Sequence, residues 1–352
     1  MVKLWGREYT RAELSQRVGN LSQVGGVEAT LLDDGPERGV RALRFTSAAG
    51  LSVTVLPDRT MDIADMRWRG KSLCWHGACG YSSPALYRAD SDGFARSFFG
   101  GMLTTCGLTN IGPACEDGGE HFPMHGFAPS LPASGVAWGE HWEDDRCTLW
   151  ARGMIRQWKL FGEHLTLTRH LRMDLAGAAL TVEDVVRNEG HQETPHMILY
   201  HSNAGFPLLD EGALLLGNFA SVEPRDEEAR RGLDTFDRYT GPQPDFAEQV
   251  FIANLLPDEE GQHEVTLWNP ALEGGLGLRL RWHAETLPWL IIWRMLGQGA
   301  YVLGMEPSNC PTIQGRAAAR AEGTLPMLAP GEARRYRLEY AVVTAVDDSR
   351  LS

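Results

Sequence analysis

What most constrains this chain is alternation: beyond about residue 20, apolar residues recur at every second position and seldom at the helical spacing of three or four. Leu276, Leu278, Leu280 and Trp282 stand on one side against Arg279 and Arg281, and Tyr336, Leu338 and Tyr340 stand against Arg335, Arg337 and Glu339. Such a period suits a half-buried strand, whose successive side chains leave opposite faces. His164–Asp174 and Leu180–Val186 follow the same rule, with a turn at Arg187-Asn188-Glu189-Gly190. Arg41–Phe45 and Leu51–Val55 flank Ala49-Gly50 and predict a hairpin. Leu328–Glu332, with Pro330-Gly331, predicts a turn before the last strand. Strands that follow one another without intervening helices imply antiparallel sheets rather than βαβ units. The expectation is an all-β protein, a large antiparallel β-sandwich forming a single domain over residues 1–352. Residues 1–20 are expected to be an N-terminal helical extension: Thr10 and Glu13 form a capping-box pattern, and Gly19-Asn20 stops the helix after about Val18. The polar stretch Glu223–Arg231 is read as an excursion of the sandwich, because strand patterns resume on both sides.

Charge narrows the class of partner. With 33 Lys plus Arg against 46 Asp plus Glu, the 352-residue chain carries a formal charge of −13, and no basic run stands out. A nucleic-acid backbone or an anionic membrane calls for the opposite balance, so neither is an expected partner. No apolar run reaches the roughly 18 residues of a membrane span, and residues 1–20 lack the apolar core of an export signal. A cytoplasmic location and reduced cysteines follow as expectations. Four residues separate Cys74 from Cys79 and eight separate Cys106 from Cys115, neither of them a zinc-ribbon spacing, so no metal is expected. The nucleophile elbow, the P-loop and the dinucleotide fingerprint are all missing, so no cofactor is expected either.

Three places combine an ionisable group with the end of a strand pattern. In Glu120-His121-Phe122-Pro123-Met124-His125-Gly126-Phe127, His125 precedes a glycine that allows a sharp turn. Met197-Ile198-Leu199-Tyr200 runs into His201, followed by the strand-breaking types Asn203, Gly205 and Pro207. Ala300-Tyr301-Val302-Leu303 leads to Glu306-Pro307-Ser308-Asn309-Cys310-Pro311. Two histidines and a carboxylate make a sufficient set for acid/base chemistry. Read singly, each has a structural explanation: a lone strand-end histidine is most often a hydrogen-bonded or surface residue, and a Glu before Pro a solvated loop acid. A metal reading competes for Glu120, His121 and His125, but Pro123 prevents the continuous helix that would align the two histidines.

The order of these motifs resembles the galactose mutarotase-like superfamily, the aldose 1-epimerases, and most closely its branch known as domain of unknown function 4432. The likeness runs from Leu21-Ser22-Gln23-Val24-Gly25-Gly26 through Leu56-Pro57-Asp58-Arg59-Thr60-Met61-Asp62-Ile63 to Glu306-Pro307-Ser308-Asn309-Cys310-Pro311. It implies a large antiparallel sandwich and places the catalytic set on His125, His201 and Glu306. By the same likeness, an arginine upstream of His125, either Arg59 or Arg96, binds sugar hydroxyls, with Asn203 and Asn309 as further binding residues. Trp293, Phe127 and Trp75 are candidates to stack on a sugar ring. A sugar-binding carboxylate has no clear match, and Asp234, Asp245 and Gln249 lie in the interval where it would fall.

The implied activity is interconversion of the α and β anomers of a free sugar. Ionised Glu306 would take the proton of the anomeric hydroxyl while protonated His201 gives one to the ring oxygen; His125 and an arginine would hold the ring. The partner is then a small-molecule carbohydrate, and the sequence leaves the oligomeric state open. Three rival readings share the residues: another sugar isomerase or epimerase working through an enediolate, a non-catalytic carbohydrate-binding sandwich, and a metal-dependent cupin-type isomerase.

Overall fold

The structure, a computed structural model, describes residues 1–89 and 92–346. Its strands assemble into three larger sheets, all antiparallel, as the alternation predicts. The first is a meander of five consecutive strands from Gly26–Leu31 to Lys71–Ser72, and it contains the expected hairpin between Arg41–Thr46 and Leu51–Leu56. The second has eight strands in the order Ala133–Glu143, Arg146–Trp158, His164–Asp174, Ala179–Asn188, Ala333–Val343, Leu276–His283, Gln262–Asn269 and Leu214–Gly217. The third has six, in the order Phe219–Pro224, Gln249–Leu255, Trp289–Gly297, Ala300–Ser308, Met197–Gly205 and Thr104–Leu108.

The eight-stranded sheet presents Leu167, Leu171, Val182, Leu278, Leu280, Trp282, Leu338 and Tyr340 to the main core, and the arginines opposite them lie nearer solvent. The six-stranded sheet meets this core with Ile198, Tyr200, Phe251, Ile292, Leu303 and Met305. Its other face is also covered. Leu199, Val250 and Ile291 pack there into a smaller apolar cluster with Phe94, Ile111, Cys310 and Ala319. Every residue of Met197–Gly205 is therefore buried, because a strand covered on both faces has no solvent side on which to place polar residues.

One polar knot lies inside the main core and ties the three sheets together. Arg169, on the eight-stranded sheet, pairs with Asp62 of the five-stranded sheet at 2.8 Å and with Asp184 at 2.7 Å, and all three side chains are fully buried. Arg169 also donates to Thr105 Oγ1, Thr105 donates to Asp62, and Tyr200 Oη donates to Asp184 Oδ2. Tyr336 and Tyr340 reach across from the eight-stranded sheet to His196 and Ser202, each at 2.8 Å, and so hold the strand Met197–Gly205 near both ends.

The N-terminal expectation changes in two respects. The N-terminal segment is not simply helical: a hairpin of Val2–Leu4 and Arg7–Tyr9 precedes a helix of Arg11–Ser15. The capping box forms as expected, with Thr10 and Glu13 each satisfying the other's backbone N–H. Only Leu14 on this helix is buried, so little packing sustains it to Val18. Glu223–Arg231 does leave the sandwich, as the end of an edge strand followed by the helix Glu227–Arg231, which is capped by Asp226. Among the described residues no helix is long and apolar enough to cross a membrane.

Candidate functional site

The outer face of the six-stranded sheet carries a cavity of about 480 Å³. Its floor follows from register. Ser202 pairs with Met305 and Leu199 with Ser308, so His201 lies directly across from Glu306 on the neighbouring strand. Glu306 in turn pairs with Ile291, and Trp293 pairs with both Gly304 and Val250. Leu199, His201, Glu306, Ile291, Trp293 and Val250 thus share one face and line the cavity together. Gly304 makes room for this arrangement, since a Cβ there would lie 2.2 Å from Glu306 Oε1. Its missing side chain lets the carboxyl lie over the strand.

His201 and Glu306 are mid-strand residues. The sequence suggests that Asn203 and Gly205 end the first strand and that Glu306 begins a loop, but the pairing runs on through Gly205 and through Ser308. Asn203 and Gly205 pair with Gly304 and Val302 inside the sheet, which overrides their turn preference, and the break falls at Phe206-Pro207. The consequence for chemistry is rigidity, because a side chain on a central strand is held more firmly than one on a loop.

His201 Nε2 is 3.2 Å from Glu306 Oε1, with side-chain exposures of 6% and 3%. Even so, Glu306 Oε1 has no aligned hydrogen-bond partner, and neither has the buried His201 Nδ1. Leaving such a group unsatisfied costs about 1–3 kcal/mol, and native proteins hold few of them away from functional sites. Burial pushes the Glu306 carboxyl well above the usual carboxylate range, and Glu248 adds repulsion in the same direction. Burial, with His125 nearby, pulls the His201 imidazolium well below its usual range. In the free protein the pair therefore favours a neutral carboxylic acid beside a neutral imidazole.

His125 enters from the cavity wall, its ring centroid 5.6 Å from that of His201. Its backbone is left-handed, at φ +57°, and is pinned by its N–H donating to Gly112 O and its carbonyl accepting from Gly107 N–H. The next residue has to be glycine: φ is +72° and a Cβ on Gly126 would lie 2.2 Å from Gly107 O. This accounts for the His-Gly pair seen in the sequence. Packing against the Phe94 ring, 4.6 Å away, desolvates the imidazole and lowers its pKa to about 4. Phe98 stacks on Phe94 at 4.8 Å and meets His201 edge-on at 5.1 Å, while Trp293 meets His201 at 5.3 Å. An aromatic wall therefore surrounds the acid/base pair.

The other expected binding residues divide. Trp293 lines the cavity. Arg59 is buried away from the cavity lining, each of its three side-chain nitrogens donating to a carbonyl, those of Pro129, Ser82 and Ser97. Arg96 is exposed on the short helix Gly93–Ser97, whose Phe94 and Ala95 are the residues that face the cavity. Asn203 donates to Gly100 O and His201 O, and Asn309 bridges Ile198 N–H and His196 O; both stitch backbone together. Trp75 packs on Phe98 at 5.8 Å and lines a different cleft, Phe127 is half-buried away from the cavity lining, and Asp234 and Asp245 are exposed.

Arg225 and, besides Glu306, a second carboxyl-bearing residue, Glu248, do line the cavity. Arg225 donates to Glu248 Oε1 at 3.0 Å, Trp293 Nε1 donates to Glu248 Oε2 at 3.0 Å, and Arg225 is further tied to Asp226. Glu248 lies one residue from the expected Gln249, whose buried amide turns the other way and donates to Glu228 O. Alternation was the available signal: Val250 pairs with Trp293, so even-numbered residues on this strand look toward the cavity.

The antiparallel sandwich places the chain in the galactose mutarotase-like class of fold. Within it the chain belongs to the family described as domain of unknown function (DUF4432), whose model matches residues 37–342. No curated protein sequence matches it. A "putative aldose 1-epimerase" from Klebsiella pneumoniae subsp. pneumoniae shares the fold with a TM-score of 0.85 and 26% identity, over 92% of this chain and 84% of that one. A galactose mutarotase-like protein from Clostridium acetobutylicum aligns with a TM-score of 0.61 at 14% identity, covering 92% of this chain and 100% of its own. The galactose 1-epimerase of Lactobacillus acidophilus aligns at 0.53 and 14%, with the same coverages; these last two likenesses concern the fold alone.

Proposed function

We propose that the protein is an aldose 1-epimerase-like isomerase that interconverts the anomers of a free sugar by acid/base ring opening. The observation that carries this reading is the His201–Glu306 pair, two groups able to exchange a proton, 3.2 Å apart on the cavity floor, each with an unsatisfied polar atom. Ring opening needs one group to accept the proton of the anomeric hydroxyl and another to donate to the ring oxygen as the C1–O5 bond breaks. Rotation about C1–C2 and closure on the other face then reverse both transfers. A single proton held by the pair serves both directions.

The resting site favours the proton on Glu306. There Glu306 is the donor to the ring oxygen and His201 the acceptor, the reverse of the roles that the family resemblance implies. The ionic tautomer restores the implied roles, and a bound sugar whose hydroxyls hydrogen-bond to the two groups stabilises it. Acid and base catalysis contribute roughly 10²–10⁴-fold each, enough for a reaction that already proceeds slowly in water. His125, uncharged near neutral pH, is a hydrogen-bonding partner for a sugar hydroxyl, and Trp293 and Phe98 offer apolar surface to a ring. Arg225 is matched by Glu248 and Asp226, so its charge is already balanced, which favours a neutral sugar over a phosphorylated one.

Proton NMR of freshly dissolved aldoses provides the test. Anomer exchange should be accelerated for at least one sugar, and Glu306→Gln should reduce the acceleration by roughly 10²–10⁴-fold. Deuterium entering C2 from solvent would instead identify an enediolate isomerase. Sugar binding without any acceleration, unchanged in Glu306→Gln, would identify a carbohydrate-binding sandwich. Either result overturns the proposal.

A further inference from the structure

A second set of reactive side chains lies outside this cavity, where the five-stranded sheet meets the six-stranded one. Asp65 sits on the strand Asp62–Trp68. Leu73 continues the pairing of that sheet through its N–H to Met66 O, and the extended chain after it carries Cys74 and His76. Cys74 bridges to Ala204 and His76 to Gly100. In extended backbone, residues two apart leave the same side, so the Cys74 and His76 side chains come together while Trp75 turns away to Phe98. His76 Nε2 lies 3.0 Å from Asp65 Oδ1 and 3.4 Å from Cys74 Sγ, and Sγ lies 3.8 Å from Oδ1.

Three features separate this group from a catalytic triad or a chance cluster. First, sulfur and carboxylate approach the same imidazole nitrogen, whereas a relay through histidine uses both nitrogens. Second, the three atoms are close enough together to share one centre: their spacings of 3.0, 3.4 and 3.8 Å bracket the roughly 3.3–3.6 Å at which a tetrahedral ion with bonds of about 2.0–2.3 Å would hold N, O and S, so each pair needs to move by only a few tenths of an ångström. Third, Asp65 is oriented from behind. Arg67 Nε donates to Oδ2 at 2.6 Å, which turns Oδ1 toward the sulfur and the imidazole, as outer partners orient metal-ligating carboxylates. The group also opens onto a cleft of about 320 Å³ walled by Phe206 and Tyr301.

We propose that Asp65, Cys74 and His76 form a binding site for a single Zn²⁺ ion, with the fourth tetrahedral position open to water in that cleft. Thiolate, imidazole and carboxylate together match a borderline-soft divalent ion better than a hard one such as Mg²⁺ or Ca²⁺. On binding, the Cys74 S–H bond breaks, its proton passes to solvent and the thiolate takes the metal, so the ion, one thiolate and one carboxylate sum to zero charge. That neutrality suits a site in which Cys74 is almost wholly buried. The Cys–Cys spacings fail to reveal the site because the cysteine's partners are a histidine two residues on and an aspartate across the sheet. Six unpaired cysteines leave Cys74 available as a thiol.

The full-length protein is stripped with a chelator, equilibrated with Zn²⁺ or Co²⁺ and freed of excess metal. The expected results are one zinc per chain, release of about one proton on binding, and a cobalt spectrum with tetrahedral ligand-field bands and a thiolate charge-transfer band. Cys74→Ser should abolish that band while Cys79→Ser keeps it, and His76→Ala, at a solvent-exposed position, should weaken zinc binding by at least about 100-fold. Zinc should raise the melting temperature of the wild type and not of His76→Ala. If the wild type retains no more zinc than His76→Ala and Asp65→Asn, or if its cobalt spectrum lacks the thiolate band, the trio is a hydrogen-bonded structural cluster and the proposal fails.

Discussion

Tyr200 and His201 are neighbours on one strand, yet their side chains enter two buried polar clusters of opposite character. On the core side, Tyr200 joins Arg169, Asp62, Asp184 and Thr105, where a guanidinium is shared between two carboxylates and the hydroxyls complete the hydrogen bonding. On the cavity side, His201 and Glu306 face each other with unmatched polar atoms and with burial opposing the charged form of each. Both clusters sit away from water, so burial alone does not distinguish them. Saturation does: the first has its partners within the protein and joins three sheets, whereas the second leaves Glu306 Oε1 and His201 Nδ1 without a hydrogen-bond partner in the protein.

The largest effect should come from breaking the saturated cluster. Arg169→Met leaves Asp62 and Asp184 buried without a cation, and should cost roughly 3–5 kcal/mol of stability in denaturant unfolding. A change below about 1 kcal/mol would mean that water reaches the cluster and that the contrast with the cavity is overstated.

Acidification should act next. His196 is fully buried and its pKa is lowered to about 4, mainly by desolvation, and His125 is lowered to about 4 for the same reason. A depressed folded-state pKa contributes stability that is present above the unfolded value and lost as pH falls through the folded one. Stability should therefore decline between about pH 6.5 and pH 4, with His196 accounting for roughly 3 kcal/mol. His196→Gln should flatten that decline in unfolding curves collected across the range. An unchanged slope would show that His196 does not stay neutral on folding.

The smallest effect should have the opposite sign. Glu306 has a raised folded-state pKa, so its contribution to stability is fully present below the unfolded value near 4.5 and is lost as pH rises through the folded value. Once ionised, a buried carboxylate opposes folding. Glu306→Gln should then be at least as stable as the wild type at alkaline pH, by about 1 kcal/mol in melting experiments, while losing activity. A loss of stability instead would place Glu306 among the saturated structural groups and remove the contrast between the two faces.

Much of this was readable in one dimension. Period-two patterning follows from the geometry of a strand with one wet face, so His164–Asp174 and Leu276–His283 emerge with almost the bounds the alternation suggests. The capping box at Thr10 and Glu13 is equally local. Local preference failed where tertiary pairing outweighed it: Asn203, Gly205 and Pro307 look like strand breakers and sit within a sheet buried on both faces.

The sequence by itself determined the antiparallel class and pointed to three ionisable residues that line one cavity, because alternation and short motifs are written in adjacent positions. Tertiary structure alone decided which arginine and which carboxylate join them. Arg59 carries the more suggestive motif but is buried against three carbonyls distant in the chain, whereas Arg225 follows the edge strand Phe219–Pro224 and Glu248 precedes the neighbouring strand Gln249–Leu255, and the two meet at the cavity. It also decided that Asp65 meets Cys74 and His76. Side chains brought together by strand register share no signal along the chain, since register is set by the packing of whole faces.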